Sequence, residues 1–341
     1  MTAYSLSSVE PAPIAQSRTL PTLLSYAAIY IAAGILALSA GFRWFGRGRD
    51  FLEYQSYYNA IPERFSTHDT RFEPAFHLMA WSFKSLTGLP YVAFASLIAF
   101  VSLSIKFTLI RKHLSLWPLA LVAYFCIFYP SHEYTQVRTA IGLAFVYLAL
   151  HLALEERFLP AAVAGLVGVL FHYSAILPLG VFVAVRFLRG KVAIWTFGIA
   201  AVFLALLWQD IDKLSVDLFA RVNPFVHIYA LNARNLESRP LSVNNILFYA
   251  ALFSAVALGW FKRGPYVTTF LLMSIASAAT LFLFVNSPEL AQRTKEVLFL
   301  AVIFAVFRRW NRAWDIIPMG FIAADAGLLI YLAFREHVLG A

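Results

Sequence analysis

Side chains that could do acid–base or anion-binding chemistry recur next to long apolar runs of this chain. Asp50 and Glu73 each stand just before, or at the start of, an aromatic-rich segment. Arg138 opens one apolar run, and Arg293 precedes another near the C-terminus. The planar guanidinium of arginine suits phosphate oxygens, and a carboxylate can act as a general base. These residue types predict an anion site with an acid–base group beside it.

The position of Arg138 predicts a partner for its charge. Gln136 and Arg138 open the run 136–154, so the guanidinium falls in the first turn of an apolar helix. A cation there opposes the helix dipole and is costly to remove from water. Asp50, Glu73 or a ligand phosphate would offset that cost. Snorkelling of the long side chain to the lipid head groups is the alternative.

His172 interrupts the apolar run 158–187 and is followed by Tyr173 and Ser174. The run is too long for one perpendicular span, so we expect two short helices that meet near His172. One interpretation is a neutral histidine that is hydrogen-bonded between helices. The other is a pocket group that orients a sugar hydroxyl or a phosphate, or that carries a proton. No second histidine lies one helical turn away, so metal ligation is not predicted.

Other motifs add little. Asp210 and Asp212 formally match the D-x-D metal motif of nucleotide-sugar transferases, but a three-residue pattern is unspecific. The chain has no Walker loop, no G-x-S-x-G, no H-E-x-x-H and no Rossmann fingerprint. We therefore expect no metal site, no cofactor and no ATP hydrolysis.

The composition indicates that lipid is the main solvent of this chain. Of its 341 residues, 61% are hydrophobic and only 13% are charged, with a mean hydropathy of +0.72. A soluble domain has roughly 25% charged residues. Apolar runs typical of helices cover residues 22–42, 91–110, 115–130, 136–154, 158–187, 191–208, 244–261, 265–285, 296–307 and 314–334. The predicted fold is an all-α polytopic membrane protein with about 10–12 transmembrane helices.

Short basic connections set the predicted orientation. They carry Arg111, Lys112, Arg157, Arg186, Arg189, Lys191, Lys262, Arg263, Arg308, Arg309 and Arg312. Positive charge in short loops faces the cytoplasm, which explains the net charge of +9 without nucleic acid. Residues 1–21 then form a cytoplasmic polar tail, and residues 22–341 form a single transmembrane domain. Its outer loops are 43–90, with a re-entrant or surface helix near 74–89, and 209–243.

Four short motifs follow one another along the chain. They are Gly48-Arg49-Asp50 with Tyr54, Glu73-Pro74 with Phe76, Gln136-Val137-Arg138, and Phe171-His172 with Ser174-Ala175. In type and order they resemble the EpsG family, which belongs with the Wzy-type polymerases of O-antigen and exopolysaccharide synthesis. The layout also resembles the membrane glycosyltransferases of the GT-C class.

The resemblance implies an ATP-independent glycosyltransferase that needs no cofactor. Such an enzyme polymerises undecaprenyl-diphosphate-linked oligosaccharide repeat units into a surface polysaccharide, at the periplasmic face of the bacterial inner membrane. Its partners would be the lipid-linked glycan, membrane lipid, a flippase and a chain-length regulator. Under this hypothesis the catalytic residues are Asp50 or Glu73, as the base, and His172. The substrate-binding residues are Arg49, Tyr54, Gln136, Arg138, Tyr173, Ser174 and Arg293.

Two alternatives stay open from the residues. A transferase that moves one sugar from a polyprenyl monophosphate onto a glycan would use the same groups. A transporter or flippase for lipid-linked glycan would need charges near the middle of the bilayer, often with repeat symmetry. We find no internal repeat, and we expect the spans to be nearly free of charge at their centres, which argues against a transporter.

Overall fold

The computed structural model describes residues 20–44, 50–62, 64–65, 72–187, 240–284, 288–309 and 312–339. These residues form thirteen α-helices and short 3-10 turns, and no strand occurs among them. The predicted span 191–208, most of the loop 209–243 with Asp210 and Asp212, and nearly all of the tail 1–21 lie outside the described residues.

The described helices are numbered along the chain. In chain order they are α1 Leu20–Phe42, α2 Phe51–Ala60, α3 Pro74–Thr87, α4 Tyr91–His113, α5 Trp117–Ile127, α6 Val137–Leu154, α7 Phe158–Phe171, α8 Ile176–Phe187, α9 Val243–Ala257, α10 Pro265–Leu283, α11 Pro288–Phe299, α12 Ala301–Val306 and α13 Ile316–Leu339. Residues 188–239, between α8 and α9, lie outside the described residues.

The all-α polytopic class is confirmed. Five stretches are long and apolar enough to cross a bilayer, and α5, α7, α9 and the segment Tyr173–Arg186 are shorter apolar helices. The five are Thr22–Phe42, Tyr91–His113, Val137–Leu154, Pro265–Leu283 and Ala313–Leu332. Large apolar side chains such as Leu24, Ile31 and Phe253 are exposed. Lipid covers such side chains without the penalty that water would impose.

Two helices have boundaries that differ from the apolar runs, and a third segment lies close to its expected bounds. Helix α5 covers only 11 residues, because the chain turns at Phe128, whose N–H donates to the carbonyl of Tyr124 at 2.8 Å. The run predicted at 296–307 is two helices, and the first of them begins at the more polar Pro288. The segment near 74–89 is the 14-residue α3, which is not among the helices long enough to span.

The basic connections that follow α4, α6, α9 and α12 meet at one end of the bundle. Lys112, at the end of α4, forms an ion pair at 2.5 Å with Glu155, which follows α6. The N–H of Ser115 donates to the carbonyl of Arg308 at 3.1 Å, and Arg263 binds both carboxylate oxygens of Asp315. This end therefore collects turns that the charge pattern predicts to be cytoplasmic.

Helices α7 and α8 form a hairpin that closes at His172. A Cβ on Gly165 would lie 3.3 Å from Leu179, so residues equally distant from the break face each other. Helices α6 and α7 pack closely, because a Cβ on Gly168 would approach the carbonyl oxygen of Gly142 at 2.7 Å. Small residues of this kind let membrane helices approach backbone to backbone.

At the other end of the bundle, α2 and α3 lie on the beginning of α4. A buried aromatic cluster joins them and contains Phe51, Tyr54, Tyr58, Phe72, Phe76, Tyr91 and Phe94. Lys84 of α3 donates to the carbonyls of Tyr58, Asn59 and Ile61 at 3.1, 2.8 and 2.8 Å, which ties the end of α2 to α3.

Two of the described spans contain a buried charged residue, although span centres are expected to be nearly free of charge. Lys106 lies within α4, is fully buried, and forms an ion pair at 2.7 Å with the fully buried Glu133 in the turn after α5. Asp325 is buried within α13. One charged residue lowers the mean hydropathy of an apolar run only slightly. Whether that charge has a partner in the protein interior is seen only from the packing of the helices.

Candidate active site

Glu73 is placed by the start of α3. The residue before a proline is driven to extended backbone, and Glu73, with φ −62° and ψ 149°, precedes Pro74 at the first position of the helix. Helix α3 therefore cannot extend backwards through Glu73. The aromatic cluster holds this helix start in place, and the carboxylate is buried with 6% of the residue exposed.

Side chains from two other elements bind the Glu73 carboxylate. Arg138, in the first turn of α6, binds Oε2 through its Nη1. His172, at the break between α7 and α8, binds Oε1 through Nδ1 at 2.9 Å. Arg138 also donates from Nε to the hydroxyl of Tyr54 at 3.1 Å, and its guanidinium lies 4.3 Å from the ring centroid of Phe72. Of the partners predicted for Arg138, the structure therefore shows the Glu73 carboxylate.

The charges of this group follow from its contacts. Burial alone would raise the pKa of Glu73, but the hydrogen bond from His172 and the charge of Arg138 outweigh it and lower that pKa to about 2. Burial lowers the pKa of His172 from its ordinary value, against the opposing effect of Glu73. At neutral pH a neutral imidazole thus faces a carboxylate. Because a carboxylate only accepts, Nδ1 carries the hydrogen and Nε2 is the acceptor.

His172 is held at this position by close helix packing. A Cβ on Gly142 would lie 3.0 Å from the Cβ of His172 and 3.0 Å from the carbonyl oxygen of Gly168. Gly142 is one turn after Arg138 in α6, so both residues share the face that meets the α7–α8 hairpin. The glycines Gly142 and Gly168, which permit the close approach of α6 and α7, therefore also align the imidazole with Glu73.

Helix α11 adds polar groups beside the histidine. The positive charge of Arg293 contributes to lowering the pKa of His172, so its guanidinium is near the imidazole. Gln136, just before α6, donates from Nε2 to Oε2 of Glu296 at 2.8 Å. Gln292 donates from Nε2 to Oε1 of the same carboxylate at 3.0 Å.

The remaining predicted residues lie around this group, with one exception. Asp50 precedes α2, and its charge acts on the nearby Tyr54. Tyr173 is exposed beside His172, whereas the hydroxyl oxygen of Ser174 is buried without a hydrogen-bond partner. Arg49 lies outside the described residues. The structure thus brings Glu73, Arg138, Tyr54 and His172 into direct contact.

Sequence reasoning missed the carboxylate of Glu296 and the ring of Phe72. Gln292 and Glu296 are four residues apart, which places them on one helical face, and this spacing was the available signal. It was obscured because the apolar run suggested a helix that begins only at 296. Phe72 gave no signal, since aromatic residues are common throughout the chain.

The fold and site define a class. This is a polytopic helical membrane protein with an arginine–carboxylate–histidine site at the end of the bundle opposite its basic turns. The chain belongs to the EpsG family, whose family model matches residues 26–335. No curated protein and no solved structure matches the chain.

Proposed function

We propose that this protein is a glycosyltransferase that polymerises lipid-diphosphate-linked oligosaccharide repeat units into a surface polysaccharide. EpsG family membership supports a polysaccharide polymerase-like role. The observation that carries the proposal is the convergence of Arg138 and His172 on the buried Glu73. Such a site combines a neutral base with cations and lies at one end of a lipid-embedded bundle.

In the proposed step, His172 is the general base and Glu73 orients it. A carboxylate with a pKa of about 2 is a weak base at neutral pH. The Nε2 atom of His172 removes the proton from an acceptor sugar hydroxyl, and the hydroxyl oxygen attacks the anomeric carbon of the donor. The bond between that carbon and the diphosphate oxygen breaks, and the polyprenyl diphosphate leaves with the electron pair. Glu73 stabilises the imidazolium that forms.

Arginine side chains would stabilise the leaving diphosphate. Arg138 already donates to Glu73 and Tyr54, which leaves its Nη2 for a phosphate oxygen. Arg293, on α11 near His172, supplies a second cation. The energy of the reaction comes from the sugar–diphosphate bond, so no ATP is needed.

We further propose that the site faces the periplasm of a bacterial inner membrane. There a flippase would deliver single units and a chain-length regulator would set the product size. Cys126 is the chain's sole cysteine and is buried, so Cys126→Ser gives a background for reporter cysteines. Tyr173→Cys should react with a membrane-impermeant maleimide in whole cells, whereas Arg157→Cys should react only after permeabilisation. The reverse pattern would refute the orientation.

The polymerase is tested by glycan ladders from a deletion strain that expresses each variant. Glu73→Gln and His172→Asn should leave single repeat units on the lipid carrier. His172→Asn is informative because its amide can still donate to Glu73 but cannot act as a base. The matched control is Glu156→Gln, at an exposed carboxylate near the basic end.

Ladders of wild-type length from both site variants, at equal expression, would refute the proposal. A product that has lost one branch sugar and kept its length would support the transferase that uses a polyprenyl monophosphate. Lipid-linked units retained on the cytoplasmic leaflet of the deletion strain would support a flippase.

A further inference from the structure

A carboxylate between two amides lies beside the proposed catalytic group and has no role in the step above. Glu296 accepts hydrogen bonds from Gln136 at 2.8 Å and from Gln292 at 3.0 Å. Gln136 is two residues before Arg138, and Gln292 is next to Arg293, whose charge reaches His172. We call Glu296 with Gln136 and Gln292 the Glu296 group. This group is connected to the proposed catalytic residues through both α6 and α11.

Adjacent positions on α11 have different surroundings. Lys295 is buried and donates to Asn245 of α9 at 2.8 Å, which anchors the helix to the bundle. Glu296 is only half-buried, and Gln292 is exposed. A helix that is already anchored by Lys295 does not need a carboxylate on its accessible side for attachment.

The Glu296 group retains hydrogen-bonding capacity. A carboxylate offers about four acceptor positions, and the two amides fill one on each oxygen. Each amide also has a carbonyl oxygen and a second N–H. Among the described residues no cation forms an ion pair with Glu296. The exposed ring of Tyr173 and the buried, unpartnered hydroxyl of Ser174 lie on the 3-10 turn against which α11 packs.

These hydrogen-bonding groups favour the binding of sugar hydroxyls and disfavour the binding of phosphate. A hydroxyl donates to a carboxylate and accepts from an amide, and aromatic rings cover the apolar faces of sugars. A diphosphate brought against Glu296 would place like charges together. The charges of Arg138 and Arg293 both act on His172, so these cations suit the diphosphate and the Glu296 carboxylate with its amides suits the glycan.

We propose that Glu296, Gln136 and Gln292 form a carbohydrate subsite that binds hydroxyl groups of the repeat unit. This inference rests on the proposed function, because it assumes that the neighbouring site acts on a glycan. The subsite holds the sugar portion while Arg293 holds the diphosphate portion of the substrate.

The experiment measures the binding of the sugar portion and of the diphosphate portion of the substrate separately. The probes are the free oligosaccharide, released by mild acid from lipid-linked units of the deletion strain, and polyprenyl diphosphate without sugar. Both are titrated against the purified full-length protein in lipid nanodiscs. Glu296→Gln should weaken oligosaccharide binding about tenfold or more, since hydrogen bonds to charged groups contribute strongly, and should leave diphosphate binding unchanged. Arg293→Gln should show the reverse, and Glu156→Gln should change neither.

Folding is checked by the melting temperature of each variant. Gln292→Ala is a second variant at an exposed position, so it removes one hydrogen-bonding group with little effect on packing, and it should also weaken oligosaccharide binding. Unchanged oligosaccharide binding in both Glu296→Gln and Gln292→Ala would overturn the subsite, as would wild-type protein that binds no oligosaccharide. Glu296-dependent binding by a protein that makes no polymer would instead refute the polymerase and leave the subsite standing.

Discussion

Removal of the buried cation in α4 should destabilise the protein far more than removal of an exposed one. Lys106 and Glu133 are both fully buried and lie 2.7 Å apart. Glu133 also accepts from the Tyr124 hydroxyl at 2.7 and 2.8 Å and from the Ser102 hydroxyl at 2.9 Å. In Lys106→Met these hydroxyls remain, but the carboxylate loses its only ion-pair partner among the described residues.

The expected magnitude follows from that uncompensated charge. Loss of one member of a buried pair costs about 3–5 kcal/mol, which corresponds to a fall in melting temperature of roughly 5–10 °C for a chain of this size. Glu133→Gln should cost a similar amount, because it leaves Lys106 charged and buried. The double variant Lys106→Met with Glu133→Gln removes both charges and keeps the hydroxyl contacts, so it should recover much of the loss.

Melting temperatures are measured in detergent by fluorescence-detected size exclusion after heating. The control is Lys112→Met, because Lys112 pairs with Glu155 at 2.5 Å and its side chain is 45% exposed. Such a pair contributes at most about 1 kcal/mol. The reasoning is refuted if Lys106→Met melts like Lys112→Met, or if the double variant loses the sum of the two single losses.

Two further predictions concern the site. Gly142→Ala should lower polymer yield with little loss of expression, because the added methyl meets His172 and the Gly168 carbonyl at 3.0 Å. Gly180→Ala, where a Cβ meets nothing within 4 Å, should be neutral or slightly stabilising, and equal yields from both would contradict this packing argument. The second prediction concerns acid. The pKa of Glu73 falls from 4.5 to about 2 on folding, so its contribution of about 3 kcal/mol is complete above pH 4.5 and is lost as pH falls towards 2. Melting curves at pH 5 and pH 3 should show a larger acid loss for wild type than for Glu73→Gln, and parallel losses would contradict the shift.

Much of the site was readable from residue types and order. The place of Arg138 in the first turn of an apolar helix predicted a carboxylate or a phosphate as its partner, and Glu73 was one of the two carboxylates named. His172 marked the break in the run 158–187, and the structure closes a hairpin there. These features are local: they depend on helix polarity, on proline geometry and on the cost of placing charge in lipid.

Other features were beyond local reasoning. The pairing of Lys106 with Glu133 joins residues from two different elements, and both appear in the sequence as isolated charges. The boundary at Pro288 was missed because hydropathy follows the apolar run, whereas α11 begins among polar residues that pack on the site.

The amino-acid sequence alone determined that this chain is a membrane protein and which connections between its helices are basic. It also indicated which of the few polar residues are candidates for chemical roles. The scarcity of charge and the spacing of apolar runs are properties of single segments, so they can be recognised without knowing which segments are in contact. Only the tertiary structure brings Arg138 and His172 together on the buried Glu73 carboxylate, and that contact is the basis for our proposal that His172 is the base. Arg138, Glu73 and His172 belong to three different elements. Only the structure shows which of their atoms are already hydrogen-bonded to one another, such as Nδ1 of His172 to Glu73 at 2.9 Å.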